Sequence, residues 1–176
     1  MSAYYFYDTD PCGYGFEEYD IAGEDFKELI ETCCRYCETL SLLILEEKAK
    51  VAEKRLEPYR IPKPEAITCD PYAHYGWGEL TGVRYYRTCP ELCALLPQIA
   101  DHIFRWRSGW RCHNPEDPVF YRSDGSMFFF SIIHDGECML MPREGEDVSH
   151  VVSKEHWLTE DNRHMDELVR WLEKQE

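Results

Sequence analysis

Positive charge is scarce in this sequence. Over 176 residues, 19 Lys and Arg face 34 Asp and Glu, giving a formal net charge of −15. Neutralising phosphates requires clustered Lys and Arg, so this balance argues against a general nucleic-acid binder. It equally disfavours docking on anionic lipid. Long apolar runs are missing too. Stretches such as Leu42-Leu43-Ile44-Leu45 fall far short of the roughly 20 residues a membrane helix needs. The opening Met1-Ser2-Ala3-Tyr4-Tyr5-Phe6-Tyr7 has no basic start, no apolar core region and no small-residue cleavage site. A secretory signal is therefore not expected, and the chain reads as cytoplasmic.

The common catalytic signatures are absent as well. There is no Gly-x-Ser-x-Gly, no His-Glu-x-x-His, no Walker loop and no Gly-x-Gly-x-x-Gly. Cys12-Gly13-Tyr14-Gly15 reads as a turn without the strand–helix context that phosphate binding needs. No repeat, low-complexity tract or Gly/Ser linker divides the chain, so residues 1–176 read as one domain. The Pro-marked stretch from Pro58 to Pro71 is an excursion within it.

What is present suits a packed core. Apolar residues make up 44% and aromatics 14%, too much for a disordered acidic tail. Charge is polarised along the chain. Residues 1–31 carry nine acids and one base, and residues 135–176 carry twelve acids and five bases. Residues 84–134 carry five acids and six bases. If the two ends meet in the fold, they make one negative face able to steer a basic partner.

Periodicity predicts a helix after Ala22-Gly23, with Phe26, Leu29, Ile30, Cys33, Cys34 and Cys37 on one face. Leu40 to Leu45 reads as a buried strand, followed by a polar helix ending before Pro58. A third helix is expected from Thr88-Cys89-Pro90-Glu91, with Thr88 and Glu91 at capping-box spacing. Its apolar face runs through Leu92, Leu95, Leu96, Ile99 and Ile103 to Trp106, and Pro97 should bend it. Val119–Arg122, Met127–His134 and Glu137–Met141 form a strand meander broken at Asp124-Gly125 and Asp135-Gly136. A last helix is expected over Glu160–Lys174. The class is α+β: an antiparallel sheet in the C-terminal half, flanked by several amphipathic helices.

Nine cysteines, an odd number, point in a reducing compartment to thiols or metal ligands before disulfides. Cys33-Cys34-x-x-Cys37 and Cys89-x-x-x-Cys93 could together place four thiolates around zinc. Against this, Cys33/Cys37 and Cys89/Cys93 lie four apart on predicted helices, where a cysteine packs as a small hydrophobe. A redox or regulatory thiol is the remaining alternative. Cys12, Cys69, Cys112 and Cys138 are scattered, and none of the seven histidines sits in a local signature. Asp8-Thr9-Asp10 opens like a calcium loop, but the glycine and terminal glutamate do not follow. No catalytic residue, metal or cofactor is assigned.

The candidate binding residues are of two kinds. Arg84-Tyr85-Tyr86-Arg87 and Arg105-Trp106-Arg107-Ser108-Gly109-Trp110-Arg111 interleave cation and ring. Arg, Trp and Tyr dominate binding hot spots, and arginine stacks on rings. This marks Arg84, Arg87, Arg105, Trp106, Arg107, Trp110 and Arg111. Glu116-Asp117 and Glu144-Gly145-Glu146-Asp147 fall at predicted turns, which adds Glu116, Asp117, Glu144, Glu146 and Asp147 as solvated acids. The plainer reading of the first kind is rings in the core, with arginines that solvate or pair with acids.

Cys34-Arg35-Tyr36-Cys37, Trp77-Gly78-Glu79, Tyr85-Tyr86-Arg87 and the hairpin Pro115-Glu116-Asp117-Pro118-Val119-Phe120-Tyr121-Arg122-Ser123-Asp124-Gly125 carry a resemblance. Together they resemble small acidic bacterial proteins of unassigned function. In those, His-Glu tends to follow the hairpin, where this chain has His134-Asp135. Some proteins of that look neutralise a toxin by binding it, so the resemblance implies an immunity-like role by analogy.

The expectation is a non-catalytic intracellular binding protein, immunity- or antitoxin-like, that sets an acidic surface against a basic protein partner such as a toxin. The alternative is a thiol- or zinc-dependent enzyme or sensor built on the cysteine clusters. A structural subunit of a larger assembly is a third reading.

Overall fold

A computed structural model describes residues 3–7, 19–44, 50–69, 71, 82–104, 115–133, 136–154 and 156–159. Its frame is set by strands whose side chains alternate between two apolar layers. Among the described residues, eight strands form one sheet: β1 (Tyr4–Tyr7), β2 (Thr39–Leu43), β3 (Arg60–Ile61), β4 (Val83–Arg87), β5 (Glu116–Tyr121), β6 (Met127–Ile132), β7 (Glu137–Leu140) and β8 (Leu158–Thr159). Their order is β3-β4-β2-β5-β6-β7-β1-β8, and every pairing is antiparallel. The class is α+β as expected. The sheet reaches well beyond the C-terminal meander, because β1 and β8 extend it on one side and β2, β4 and β3 on the other.

Both faces are buried. Leu40, Leu42, Phe120 and Phe129 point to one layer and Tyr85, Val119, Tyr121 and Phe130 to the other, as the two-residue period of a strand requires. The first layer is closed by helix α1 (Glu24–Tyr36), whose Phe26, Leu29, Ile30 and Cys33 are buried. Gly23, with φ +60°, turns the chain into α1 in a conformation that favours glycine. Glu24 and Asp25 occupy its first turn and Arg35 its last, each at the favourable end of the helix dipole.

The other α-helices among the described residues are short: α2 (Lys50–Leu56), α3 (Pro90–Leu95) and α4 (Ser149–Val152). The third helix stops far earlier than the apolar spacing suggests. It passes into a single 3₁₀ turn at Leu96–Gln98, because Pro97 has no N–H to continue the ladder. The capping box does not form either. Cys89 sits at the N-cap without a capping side-chain bond, and the Thr88 hydroxyl donates to the Cys37 carbonyl. Trp106 and the expected helix at 160–174 lie outside the described residues.

One expectation is overturned. Cys34 of α1 and Cys93 of α3 form a disulfide, with their Cα atoms 6.3 Å apart. Packing of α1 against α3 brings the two half-buried residues together, which spacing within each helix does not reveal. Cys33, Cys37 and Cys138 are buried thiols that pack as small hydrophobes. Cys12 and Cys112 lie outside the described residues.

Candidate functional site

The described parts of the two acid-rich segments lie in one region of the fold. Strand β1 lies between β7 and β8, with Tyr5 opposite both Met139 and Leu158. Near that edge, α1 packs beside α4. The Thr32 hydroxyl donates to the Glu28 carbonyl at 2.7 Å. It therefore accepts at 2.8 Å from His150, whose Nε2 must carry the proton. The Asp147 amide donates to the Tyr36 hydroxyl at 3.0 Å. Lys154 bridges from the C-terminal segment to Asp25 and to Glu28, the latter at 2.6 Å. Those carboxylates raise the Lys154 pKa, Asp25 most.

The outward side of α1 is mostly acidic. Glu24, Asp25 and Glu31 are exposed and Glu28 half-buried, with Lys27 paired to Glu24 at 2.8 Å. Glu144 and Asp147, just ahead of α4 in sequence, are exposed as well. Asp147 accepts from the Ser149 amide and hydroxyl at 2.9 and 2.6 Å; the hydroxyl is the larger cause that holds its carboxyl below the usual range.

Between β1, the start of α1 and the α4–β8 connection runs a cleft of about 330 Å³. Phe6, Ile21 and Val151 line it with apolar surface, and Asp20, Asp25 and Lys154 supply charge. Trp157 and His156 complete the wall. The rings here are mutually packed. Phe6 meets Trp157 edge-on at 5.5 Å, and His156 stacks on Tyr19 at 3.8 Å. Asp20 fixes the adjoining chain by accepting from the Ile103 and Phe104 amides at 3.1 and 2.9 Å. A second cleft, of about 390 Å³, lies beside the β5–β6 hairpin and includes Glu38, Thr39, Ile67, Arg87 and Thr88.

The candidate residues do not make a single surface. Arg87 is exposed and lines the second cleft, whereas Arg84 is half-buried and lies 3.7 Å from Glu53. Both are on β4, and β2, β5 and β6 separate that strand from β7 and the acids that follow it. Glu116 and Asp117 are not solvated turn residues. They belong to β5 and are buried, where Asp117 adopts φ +49° and accepts the Ile133 amide at 2.7 Å. Glu146 is engaged by Arg122 rather than open to solvent. Arg105, Trp106, Arg107, Trp110 and Arg111 lie outside the described residues.

Sequence reading missed the cleft. Lys154, His156 and Trp157 follow a four-residue helix that has no periodic signature. Tyr19 and Asp20 precede α1 and carry no motif. The one available signal was the concentration of acid at the two ends.

The buried thiols Cys33, Cys37 and Cys138 offer little nucleophilic chemistry. Burial pushes the pKa values of Cys33, Cys37 and Cys138 up. A reactive thiolate needs the opposite shift. Among the described residues no three His, Cys, Asp or Glu side chains come together in a way that could hold a metal ion. Among them, too, no helix is long and apolar enough to cross a membrane. No family model, curated protein or solved structure matches the chain.

Proposed function

We propose that this is a non-catalytic binding protein of the immunity or antitoxin kind, which uses an acidic face to capture a basic protein. The observation that carries this reading is the position of β1 between β7 and β8. Among the described residues, it sets the region of Asp20, Glu24, Asp25, Glu28 and Glu31 near that of Glu137, Glu144, Glu146 and Asp147. The acids of α1 stand at that junction, where Lys27 and Lys154 pair with some of them. A field of one sign accelerates encounter with an oppositely charged partner and suppresses wrong ones.

The test is affinity capture at low salt from the native source, followed by identification and reconstitution of the complex. The expected result is a stoichiometric complex with a basic protein that dissociates as salt rises. Glu24→Lys with Glu31→Lys should weaken it about tenfold or more through lost steering and rim attraction. Recovery of no partner, or a complex indifferent to both salt and the double substitution, would overturn the reading.

A further inference from the structure

We propose that the cleft between β1 and the α4–β8 connection receives an arginine side chain of that basic partner. This inference rests on the acidic-face reading and names the subsite through which it acts. A guanidinium is planar, weakly hydrated and forked, so it stacks on rings and bonds carboxylates in pairs. The cleft supplies both kinds of contact. Phe6 and Trp157 meet at 5.5 Å and form an aromatic corner, with the exposed His156 stacked on Tyr19 beside it. Of these rings the half-buried Trp157 is the one that can attract a cation through its face. Asp25, half exposed, opens onto the same space together with Asp20.

A cation of the chain itself already uses this site. Lys154 lines the cleft and pairs with Asp25 and Glu28. Its side chain is 31% exposed, so the pair is open to exchange with water and with a competing cation. An incoming guanidinium would share Asp25 while its plane rests against Trp157. The volume of about 330 Å³ suits one long side chain better than a whole peptide, which identifies the cleft as an anchor pocket within a wider contact. Charge complementarity favours a cationic anchor over a neutral or acidic one.

The probe is N-acetyl-arginine methylamide, with its neutral citrulline counterpart as control, titrated into the full chain. Nuclear magnetic resonance would follow the Trp157 indole and the amides of Asp25 and Lys154. The arginine probe should give saturable shifts centred on Trp157, and citrulline should give none. Asp25→Asn should weaken binding about threefold to fivefold. Lys154→Met removes the resident cation and should tighten it by a similar factor. Trp157→Phe keeps a ring and should retain binding, whereas Trp157→Ala should abolish it.

Equal shifts from citrulline, shifts that spread over the surface without Trp157, or stronger binding of a lysine probe would overturn the assignment. The two readings can fail separately. If the α1 double substitution breaks the protein complex while the probe leaves the cleft untouched, the cleft assignment alone falls. If the complex ignores salt and α1 while the probe binds the cleft, the acidic-face reading alone falls.

Discussion

Arg122 donates to both carboxylate oxygens of Glu146, at 2.7 and 2.6 Å, from a position only 7% exposed. Its other donors reach the carbonyls of Met127 and Met141, each at 2.6 Å, and the Ser126 hydroxyl at 3.4 Å. The guanidinium also lies over the Phe128 ring, 5.1 Å from its centroid. All five N–H groups are thus used, and the side chain fastens the β5–β6 hairpin to the loop after β7. Arg122 lines the second cleft but has no donor left to offer a ligand there.

Removing this arginine should therefore act on stability. Arg122→Met leaves a carboxylate that is only 14% exposed without its partner, a loss of about 3–5 kcal/mol. Thermal unfolding should shift down by roughly 10 °C for a chain of this size. Adding Glu146→Gln removes the stranded charge, so the double variant should recover part of the loss. Equal midpoints for the two variants would show that the charge pair is not the source.

The same pair predicts an acid limit. Hydrogen bonds from Arg122 hold the Glu146 carboxyl below its ordinary value of 4.5. Ser126 and then Arg143 hold Asp124 well below its own ordinary value of 3.8. A depressed folded-state pKa gives stability that is present above the unfolded value and is lost as pH falls through the folded one. Denaturant midpoints should be flat near neutrality and decline below about pH 4.5. In the Arg122→Met/Glu146→Gln background that decline should be shallower, as urea titrations from neutrality down to about pH 3 would show.

Gly125 should tolerate no side chain. It adopts φ +81°, and a Cβ there would stand 1.9 Å from the Ala66 carbonyl oxygen. The turn closes through the Gly125 amide to the Arg122 carbonyl and the Arg122 amide to the Ser126 carbonyl. Gly145 has φ +88° but open space around it. Gly145→Ala should thus cost about 1–2 kcal/mol from backbone strain alone. Gly125→Ala should cost at least about 3 kcal/mol, because the backbone at Ala66 and Ile67 must move as well. Comparable urea midpoints for the two would refute the packing argument.

These elements show how far sequence reached. Asp124-Gly125 marked the hairpin correctly, because a left-handed position leaves a local chemical signature. Helix α1 was legible for the same reason: Phe26, Leu29, Ile30 and Cys33 repeat at helical spacing along a single face. Strand β1 was not legible, because Tyr4–Tyr7 is a run of aromatics without alternation and both its faces are covered. The Cys34–Cys93 bond joins residues 59 positions apart, and only the packing of two helices selects it. The cleft drew on Phe6, Asp25 and Trp157, from three separate stretches, and no local rule gathers these residues.

The disulfide itself should be measurable. Cross-linking residues 59 positions apart restricts the unfolded chain by about 4 kcal/mol in the chain-entropy account. Cys93→Ser, or reduction with a small dithiol, should lower the urea midpoint with little change in the folded spectrum. Peptide mapping without reductant should recover the Cys34 and Cys93 peptides joined. An unchanged midpoint after verified reduction would mean that α1 and α3 are held by packing alone.

Tyr86 lies on β4. It is fully buried, and its hydroxyl has no hydrogen-bond partner among the described residues. Burial, with a smaller contribution from Glu53, pushes its pKa up to about 12. The sign follows from proton linkage: a phenol whose folded pKa is raised contributes stability that is fully present below the unfolded value of 10.0. That contribution is lost as pH rises through the folded value. The wild-type chain should therefore weaken from about pH 10 upward, and Tyr86→Phe should weaken less over that range. At neutral pH the substitution removes a buried, unpaired hydroxyl, whose desolvation costs about 1–3 kcal/mol. Tyr86→Phe should then be at least as stable as wild type in urea at neutral pH. A clear loss of stability there would show that the hydroxyl has a partner and that the layer between β4 and α1 is arranged differently.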